Sequence, residues 1–430
     1  MKRIVLFVAA ALLLAACDGK MIMKSINISA PEPKEAITKV SLSDTQKDYV
    51  NSGNAFAFKC LDILYRENRQ SVIFSPLSLQ LALAMTVNGA SGNTAEEIIN
   101  TIGYGSDIDD MNEYCHKLIT QLPAVDKAVN VKITDAMLIR NEFKAQDSFK
   151  DILNNSFYAP LEYFTFKNKK DVAERINKWA YNNTNGFIRN LLSPDDIDDE
   201  FVAAIMNALY FKAKWAGSDY EPMFTEEGTM KKQPFYLDDG GKVTADLMRS
   251  TDHFPYARRD GYQVVSIPYS NGHYAMYVLL PDEKGSNGVE KLVSKLADES
   301  WSDICSSLNT EAKVYLRLPK FESENKFCLN QALQQLGINL AFGNQAEFDR
   351  MFDARNWNFW IGAIFQKARI AVTEWGTEAA AVTVVLMDGA TATLPRPVPE
   401  VYFYADHPFV YVIAEKTSGT ILFEGVFNGK

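Results

Sequence analysis

The chain has 430 residues, of which 47% are hydrophobic and 23% are charged, and these fractions exclude a wholly disordered or fibrous protein. Its 54 acidic and 44 basic residues give a net charge of -10, which disfavours general binding to nucleic acid. The 5 cysteines form no CxxC pair, and no HExxH, GxSxG or GxxxxGK[ST] motif occurs, so structural zinc and several large enzyme classes lack their usual signatures.

The N-terminus has the pattern of a lipoprotein signal. Two basic residues precede an apolar run, 4–14, that is too short to be a stable membrane anchor. Leu-Ala-Ala-Cys at 14–17 resembles the bacterial processing box, where cleavage precedes a lipidated cysteine. We expect a signal peptide over residues 1–16 and lipidation of Cys17, which would place the protein on the bacterial cell envelope, facing the periplasm or the cell surface. The alternative is a plain secretory signal cut near Ala16.

A tether is expected over residues 17–45, because Pro31 and Pro33 break any helix and Ser and Thr recur. Removal of two N-terminal bases makes the mature charge about -12, so acyl chains alone would provide the membrane contact. Four further cysteines lie far apart in the sequence, namely Cys60, Cys115, Cys305 and Cys328. They could pair in an oxidising envelope, but we favour four small buried apolar residues.

Helical and strand patterns are interleaved over the remaining residues, 46–430, without a linker or repeat. Helices are predicted over 47–65, over 76–87 and over 171–183, and a further helix is predicted to start from a capping box at Thr94–Glu97. Strands are predicted over 129–134, over 364–373, in part of 402–413 and over 420–427, and a hairpin is predicted from 262–268 and 274–281. Helices dominate the first half and strands the second, which indicates one large α+β domain.

The segment 376–394 is unusual for its position in the chain. Its small residues and its β-branched run predict a strand, with Asp388-Gly389 as a type I′ hairpin turn. A long strand, 364–373, already precedes it, and three prolines between 395 and 399 block its continuation into a central sheet. A settled strand is therefore only one interpretation of this segment.

Seven other stretches occur in the order typical of one known family. They are 74–78 (FSPLS) with 82–85; 88–94 (NGASGNT); 176–179 (INKW) with Thr184 and 186–188; 207–215 (NALYFKAKW); 318–322 (LPKFE); 406–409 (DHPF); and 423–428 (FEGVFN). With 374–383 (EWGTEAAAVT), they resemble the serpins, the serine-protease-inhibitor family. The resemblance covers about residues 45–430, so the chain is identified as a member of that family.

The resemblance implies a single large domain of about three β-sheets and eight to nine helices, with an exposed reactive loop. It also implies an inhibitor rather than an enzyme: a target protease attacks the loop, which then inserts into the central sheet and traps the acyl-enzyme. The hinge of this loop would comprise Glu374, Gly376, Thr377, Glu378, Ala379, Ala380 and Ala381. In an inserted strand, Thr377, Ala379, Ala381 and Thr383 would share the inward face, and all four are small.

The reactive bond is expected at Ala390–Thr391, because related serpins place it about seventeen residues along from the hinge glutamate. Leu386, Met387 and Thr391 are the fallback positions. Alanine suits the shallow pockets of elastase-like and subtilisin-like proteases. We therefore expect a monomeric inhibitor of serine proteases with a small or apolar primary pocket, with cysteine proteases as a second class of target.

A buried polar cluster under the main sheet is also implied, formed by Ser75, Ser78, Asn207, Trp215 and Gln366. The family usually has a histidine at the place of Gln366, so this chain would lose the pH dependence that a histidine gives. The usual proline near the C-terminus is replaced by Gly429.

Two alternative functions remain open. The first is a non-inhibitory serpin that acts as a binding protein, although such relatives usually carry bulky, charged or proline residues in the hinge. The second is a lipoprotein hydrolase, for which the four histidines offer no catalytic motif. No cofactor or metal is expected. The acid-rich stretch 107–122, whose only Lys or Arg is Lys117, argues against a heparin-like cofactor.

Overall fold

The computed structural model describes residues 3–8, 37–217, 221–285, 287–352, 358–377 and 398–429. For residues 3–8 and Asn358 it describes the backbone alone. No helix within these ranges is both long enough and apolar enough to cross a membrane.

The described residues form nine α-helices. They are α1 (Asp44–Asn68), α2 (Pro76–Gly89), α3 (Gly92–Ile102), α4 (Ile108–Val125), α5 (Asp147–Ser156), α6 (Lys169–Asn183), α7 (Gly288–Leu296), α8 (Trp301–Ser306) and α9 (Asn330–Leu336). Ser43 and Gln46 form a reciprocal capping box at the start of α1. The capping box predicted at Thr94 is wrong, because α3 begins earlier and the Thr94 hydroxyl accepts a hydrogen bond from the backbone N–H of Glu347 instead.

Seventeen strands form three sheets in the described part of the chain. They are β1 (Arg3–Val8), β2 (Val72–Phe74), β3 (Asn130–Arg140), β4 (Leu161–Phe164), β5 (Phe201–Lys214), β6 (Met230–Tyr236), β7 (Lys242–Asp252), β8 (Tyr256–Arg259), β9 (Tyr262–Tyr269), β10 (Tyr274–Pro281), β11 (Lys313–Pro319), β12 (Phe321–Cys328), β13 (Asn358–Thr373), β14 (Gly376–Thr377), β15 (Glu400–Tyr404), β16 (Phe409–Glu415) and β17 (Ile421–Phe427). The predicted hairpin is confirmed as the antiparallel pair β9–β10.

Sheet A has the strand order β1-β13-β14-β5-β3-β4, with β12 on the other edge of β13. Sheet B has the order β2-β17-β16-β10-β9-β8, and sheet C has the order β15-β11-β7-β6. The expected α+β architecture of about three sheets and eight to nine helices is therefore confirmed in the described part of the chain.

The main hydrophobic core lies between sheets A and B and includes the wholly buried helix α2. A smaller core packs α6 against the opposite face of sheet A, through side chains such as Trp179 and Met206. The four cysteines of the described residues are unpaired. Cys60 and Cys115 are buried as expected, but Cys305 is only partly buried and Cys328 is exposed, so the expectation of four buried cysteines is wrong for these two.

Candidate functional site

Two neighbouring strands of sheet A, β5 and β13, are separated by a slot. At its upper end β14 pairs antiparallel with both strands, opposite Thr373 of β13 and Lys214 of β5. At its lower end β1 pairs parallel with both, as far as Ile364 and Ile205. Between these ends, no described strand lies between residues 206–212 of β5 and residues 365–371 of β13. Along this stretch, the facing backbones of β5 and β13 could both pair with an inserted strand.

This stretch of the slot opens into a narrow cleft with an enclosed volume of about 60 Å³. Its walls are residues 207–211 of β5 and residues 364–370 of β13. Its floor includes Ser75 and Ser78 at the start of α2, and its roof includes Thr184 and Phe187 just after α6. A strand entering between β5 and β13 would therefore have to widen this cleft beneath α6.

The hinge enters the slot at Gly376, where only glycine fits. Its φ is +137°, and a Cβ atom built there would lie 2.1 Å from the carbonyl oxygen of Ala213 and 2.7 Å from the Cα of Lys214. A side chain would therefore collide with the backbone of β5. The glycine explains how the chain leaves β13, turns, and returns between the two strands within three residues.

Glu374 anchors this turn through two distant partners. One carboxylate oxygen lies 2.8 Å from the Lys320 Nζ, and the other accepts a hydrogen bond of 2.8 Å from the Thr229 hydroxyl. Burial alone would raise the pKa of Glu374, but the hydrogen bonds from Lys320, its own backbone and Thr229 hold that pKa below its usual range. The predicted hinge glutamate is thus fixed as a buried carboxylate.

Thr377 is the last described residue of the hinge, and its side chain points into the core. It is 2% exposed, and its hydroxyl forms a hydrogen bond with the Tyr269 hydroxyl of sheet B. This places Thr377 on the inward face of sheet A, as the alternation of side chains along a strand predicts.

Trp215 does not belong to the predicted polar cluster. Its indole N–H donates to the carbonyl oxygen of Thr373 at 2.8 Å, and its ring stacks on Tyr269 with centroids 4.6 Å apart. Trp215 and Asn207 share a strand face but are eight residues apart, which is roughly 26 Å along a strand. The structure therefore places Trp215 beside the hinge, at the far end of the slot from the cluster.

The other four members of the cluster are brought together below the slot. The Gln366 amide forms two hydrogen bonds of 2.9 Å with the backbone N–H and C=O of Ser75. The Ser75 hydroxyl donates to the carbonyl oxygen of Leu422 and accepts from the Ser78 N–H, and the Ser78 hydroxyl donates to Asn207. Gln366 thus keeps the Ser75 backbone hydrogen-bonded, and the network joins both edges of the slot to α2.

Asp135 is a member of this network that sequence reasoning missed. It lies on β3 directly opposite Asn207, whose amide donates to Oδ1 at 2.6 Å. Its Oδ2 is buried without a hydrogen-bond partner among the described residues. Burial raises the pKa of Asp135 to about 7, and the hydrogen bond from Asn207 only partly opposes this. The sequence does contain a signal for Asp135. Side chains alternate along a strand, so Asp135 lies on the same inward face as Val131 and Ile133 of the predicted strand.

Several predicted residues fall outside the described ranges. They are Cys17 of the tether, Glu378, Ala379, Ala380 and Ala381 of the hinge, the fallback positions Leu386 and Met387, and the reactive bond Ala390–Thr391.

Comparison with known proteins gives a consistent result. The model of the family described as Serpin (serine protease inhibitor) matches residues 51–429. Human neuroserpin is 30% identical over 419 residues, which cover 94% of this chain and 93% of neuroserpin. The crystal structure of Serpin48 from the insect Tenebrio molitor superposes with a TM-score of 0.76 at 25% identity, covering 91% of this chain and 100% of that one. Human thyroxine-binding globulin, solved in complex with thyroxine, shares the fold with a TM-score of 0.75 at 23% identity, covering 89% and 98% of the two chains.

Proposed function

This chain belongs to the serpin family, and from that premise we propose that it inhibits serine proteases as a suicide substrate, with cysteine proteases as a second class of target. The observation that carries the proposal is the slot between β5 and β13, with the hinge already paired at its upper end. After cleavage, the loop that follows Thr377 would continue this pairing as a new central strand. The attached protease would then be carried to the other end of sheet A and distorted there.

The register of the hinge supports the proposed reactive bond. Gly376 pairs with Lys214 and Thr377 pairs with Ala213. Because pairing in an antiparallel ladder descends one residue at a time, residue 389 would lie opposite Phe201, the first residue of β5. The next residue, Ala390, is the first that has no pairing partner in β5. Residues 5–8 of β1 pair with residues 201–205 of β5 in this structure, but they belong to the proposed signal peptide, whose removal would free the lower end of the slot. A bond cut after Ala390 would then release a loop of the length that β5 can pair with.

The composition of the loop also suits insertion. Since Thr377 faces the core, residues 379, 381 and 383 would face it as well, and they are Ala, Ala and Thr. Glu378 would take the opposite face. At least ten new backbone hydrogen bonds, at ~1 kcal/mol net each, would give a driving force on the order of 10 kcal/mol before apolar burial.

The alternative is a non-inhibitory serpin that acts as a binding protein, since thyroxine-binding globulin has the same fold. The hinge of this chain favours inhibition, because 377–383 contains no proline and no bulky residue on the proposed inward face. Incubation with elastase or subtilisin, followed by denaturing electrophoresis, separates the two functions. A covalent complex of protein and protease is expected. Cleavage of the loop without such a complex would refute inhibition.

We also propose that the signal peptide ends at residue 16 and that Cys17 carries the lipid. The supporting observation is the sequence at 14–17 after the apolar run. The inhibitor would then act as a monomer on the bacterial cell envelope, against proteases that reach the periplasm or the cell surface. Labelling with a radioactive fatty acid tests this part of the proposal independently of inhibition.

A further inference from the structure

A tyrosine surface lies on sheet C, immediately after the reactive loop, with Tyr402 exposed and Tyr315 and Tyr404 half-buried. We define the sheet C surface by Tyr315, Arg317, Tyr402 and Tyr404, which lie on the neighbouring strands β11 and β15. The Tyr402 side chain is 56% exposed, which is the highest value among the large hydrophobic side chains of the described residues. β15 begins at Glu400, only three residues after the loop segment outside the described ranges.

The rings of the sheet C surface are held in a fixed arrangement. Tyr315 and Tyr402 are opposite each other in the parallel pair and stack with centroids 5.0 Å apart. Tyr402 meets Tyr404 edge to face at 5.8 Å. Both hydroxyls of the stacked pair donate to the carboxylate of Glu400, and this acceptor raises the pKa of Tyr315 and of Tyr402. The rings therefore lose little rotamer freedom when a partner covers them.

Cations accompany these rings. The Arg317 guanidinium carbon lies 3.7 Å from the centroid of the Tyr404 ring, and the Lys313 Nζ lies 5.5 Å from that of Tyr315. In the described ranges, no carboxylate lies within ion-pair distance of Arg317, Lys313 or the neighbouring Arg249. The four strands of sheet C carry six bases (Lys231, Lys232, Lys242, Arg249, Lys313 and Arg317) and three acids (Asp246, Asp252 and Glu400), a charge of +3 on a chain of net charge -10. A partner of complementary charge would be acidic.

We infer that the sheet C surface is a second contact site for the target protease, and that the preferred protease has an acidic face beside its active site. This inference rests on the proposed function, since it requires a protease to approach the loop. The Pro399 carbonyl accepts a hydrogen bond from the Lys313 N–H, so the C-terminal end of the loop is fixed to β11 beside the tyrosines. A protease bound near Ala390, ten residues before Glu400, would therefore lie close enough to cover them. Tyrosine and arginine are among the residue types that most often dominate the binding energy of protein interfaces.

The test uses one protease with two surface charges. Native elastase is compared with elastase whose surface lysines have been succinylated, and both are normalised by active-site titration. With the unmodified serpin, the succinylated enzyme should attack the loop about tenfold faster at 50 mM salt, and this gain should shrink at 300 mM salt. In Arg317→Glu the gain should disappear. Lys59→Glu makes the same charge change at an exposed residue of α1, and it should keep at least half of the gain.

Tyr402→Ala tests the contribution of the tyrosine rings and should slow attack by both elastases three- to tenfold.

The measured quantity is the rate of loop cleavage, with or without trapping. A protein that is cleaved but forms no complex would therefore refute the proposed function and would still test the sheet C surface. Equal gains in Arg317→Glu and Lys59→Glu would overturn the inference. Arg317-dependent retention on heparin, with protease rates unchanged, would also overturn it and would assign the surface to an acidic polysaccharide.

Discussion

Replacement of Asp135 by asparagine should flatten the dependence of stability on pH. In the folded protein the pKa of Asp135 is raised from an ordinary value of 3.8 to about 7, because the carboxyl group is buried with one oxygen lacking a hydrogen-bond partner among the described residues. Between pH 4 and pH 7 the folded state therefore keeps a proton that the unfolded state has lost. The stability contributed by Asp135 is fully present below about pH 4 and is lost as the pH rises through 7.

The size of this effect follows from the shift. Three pKa units at about 1.4 kcal/mol each correspond to ~4 kcal/mol, of which about 2 kcal/mol is lost between pH 5.5 and pH 7.5. Asparagine keeps the acceptor for the Asn207 amide but cannot ionise. The free energy of unfolding of Asp135→Asn, measured relative to the unmodified protein, should therefore rise by about 2 kcal/mol over this pH range.

The assay is urea unfolding at pH 5.5, 6.5 and 7.5, followed through the first transition by tryptophan fluorescence. Asp195→Asn, which removes an exposed carboxylate, is the matched control and should leave the pH dependence unchanged. A constant offset between Asp135→Asn and the unmodified protein at all three pH values would refute the reasoning. It would mean that Asp135 is ionised throughout, despite its burial.

Four further predictions concern the loop and the anchor. Cleavage of the loop should raise Tm by on the order of 20 °C, measured calorimetrically before and after limited proteolysis; an equal or lower Tm would be inconsistent with insertion. Ala381→Arg should bury an unpaired cation on the inward face of the inserted loop, at a cost of several kcal/mol, and convert the inhibitor into a substrate, whereas Glu378→Arg, on the opposite face, should still trap elastase in gel assays. Ala390→Arg should add trypsin inhibition and weaken elastase inhibition, and unchanged rates with both enzymes would move the reactive bond elsewhere. Cys17→Ala should release the protein from membrane fractions, and retention there would exclude lipidation as the anchor.

The turn at Gly376 and the inward side chain of Thr377 follow from local sequence. Gly376 and the small residues after it are contiguous, and the alternation of a strand places Thr377 inward without knowledge of the rest of the fold. The ion pair between Glu374 and Lys320 was not predictable in the same way, because 54 residues separate the two and nothing in either segment specifies the other. The motif that contains Lys320 was identified, but its contact with the hinge required the folded sheet.

The polar cluster shows where prediction from sequence motifs fails. Ser75, Ser78, Asn207 and Trp215 all belong to the motifs of the resemblance, but only the first three share one hydrogen-bond network, whereas Trp215 lies beside the hinge. Membership of one motif does not mean proximity when the motif is a long strand. Asp135 was missed because no motif contains it, although an acid at an inward position of a strand is a physical signal that needs no family at all.

The parallel arrangement of β5 and β13 around the slot has a mechanical consequence. A strand that enters beside the hinge and runs antiparallel to both must carry its far end along the whole of β5, which has 14 residues and is roughly 45 Å long at ~3.3 Å per residue. A free energy on the order of 10 kcal/mol spread over that distance corresponds to an average force of roughly 15 pN. Attachment of a bead to residue 390 in an optical trap would turn the insertion of this loop into a measurable stroke, with a stall load set by the backbone hydrogen bonds of sheet A.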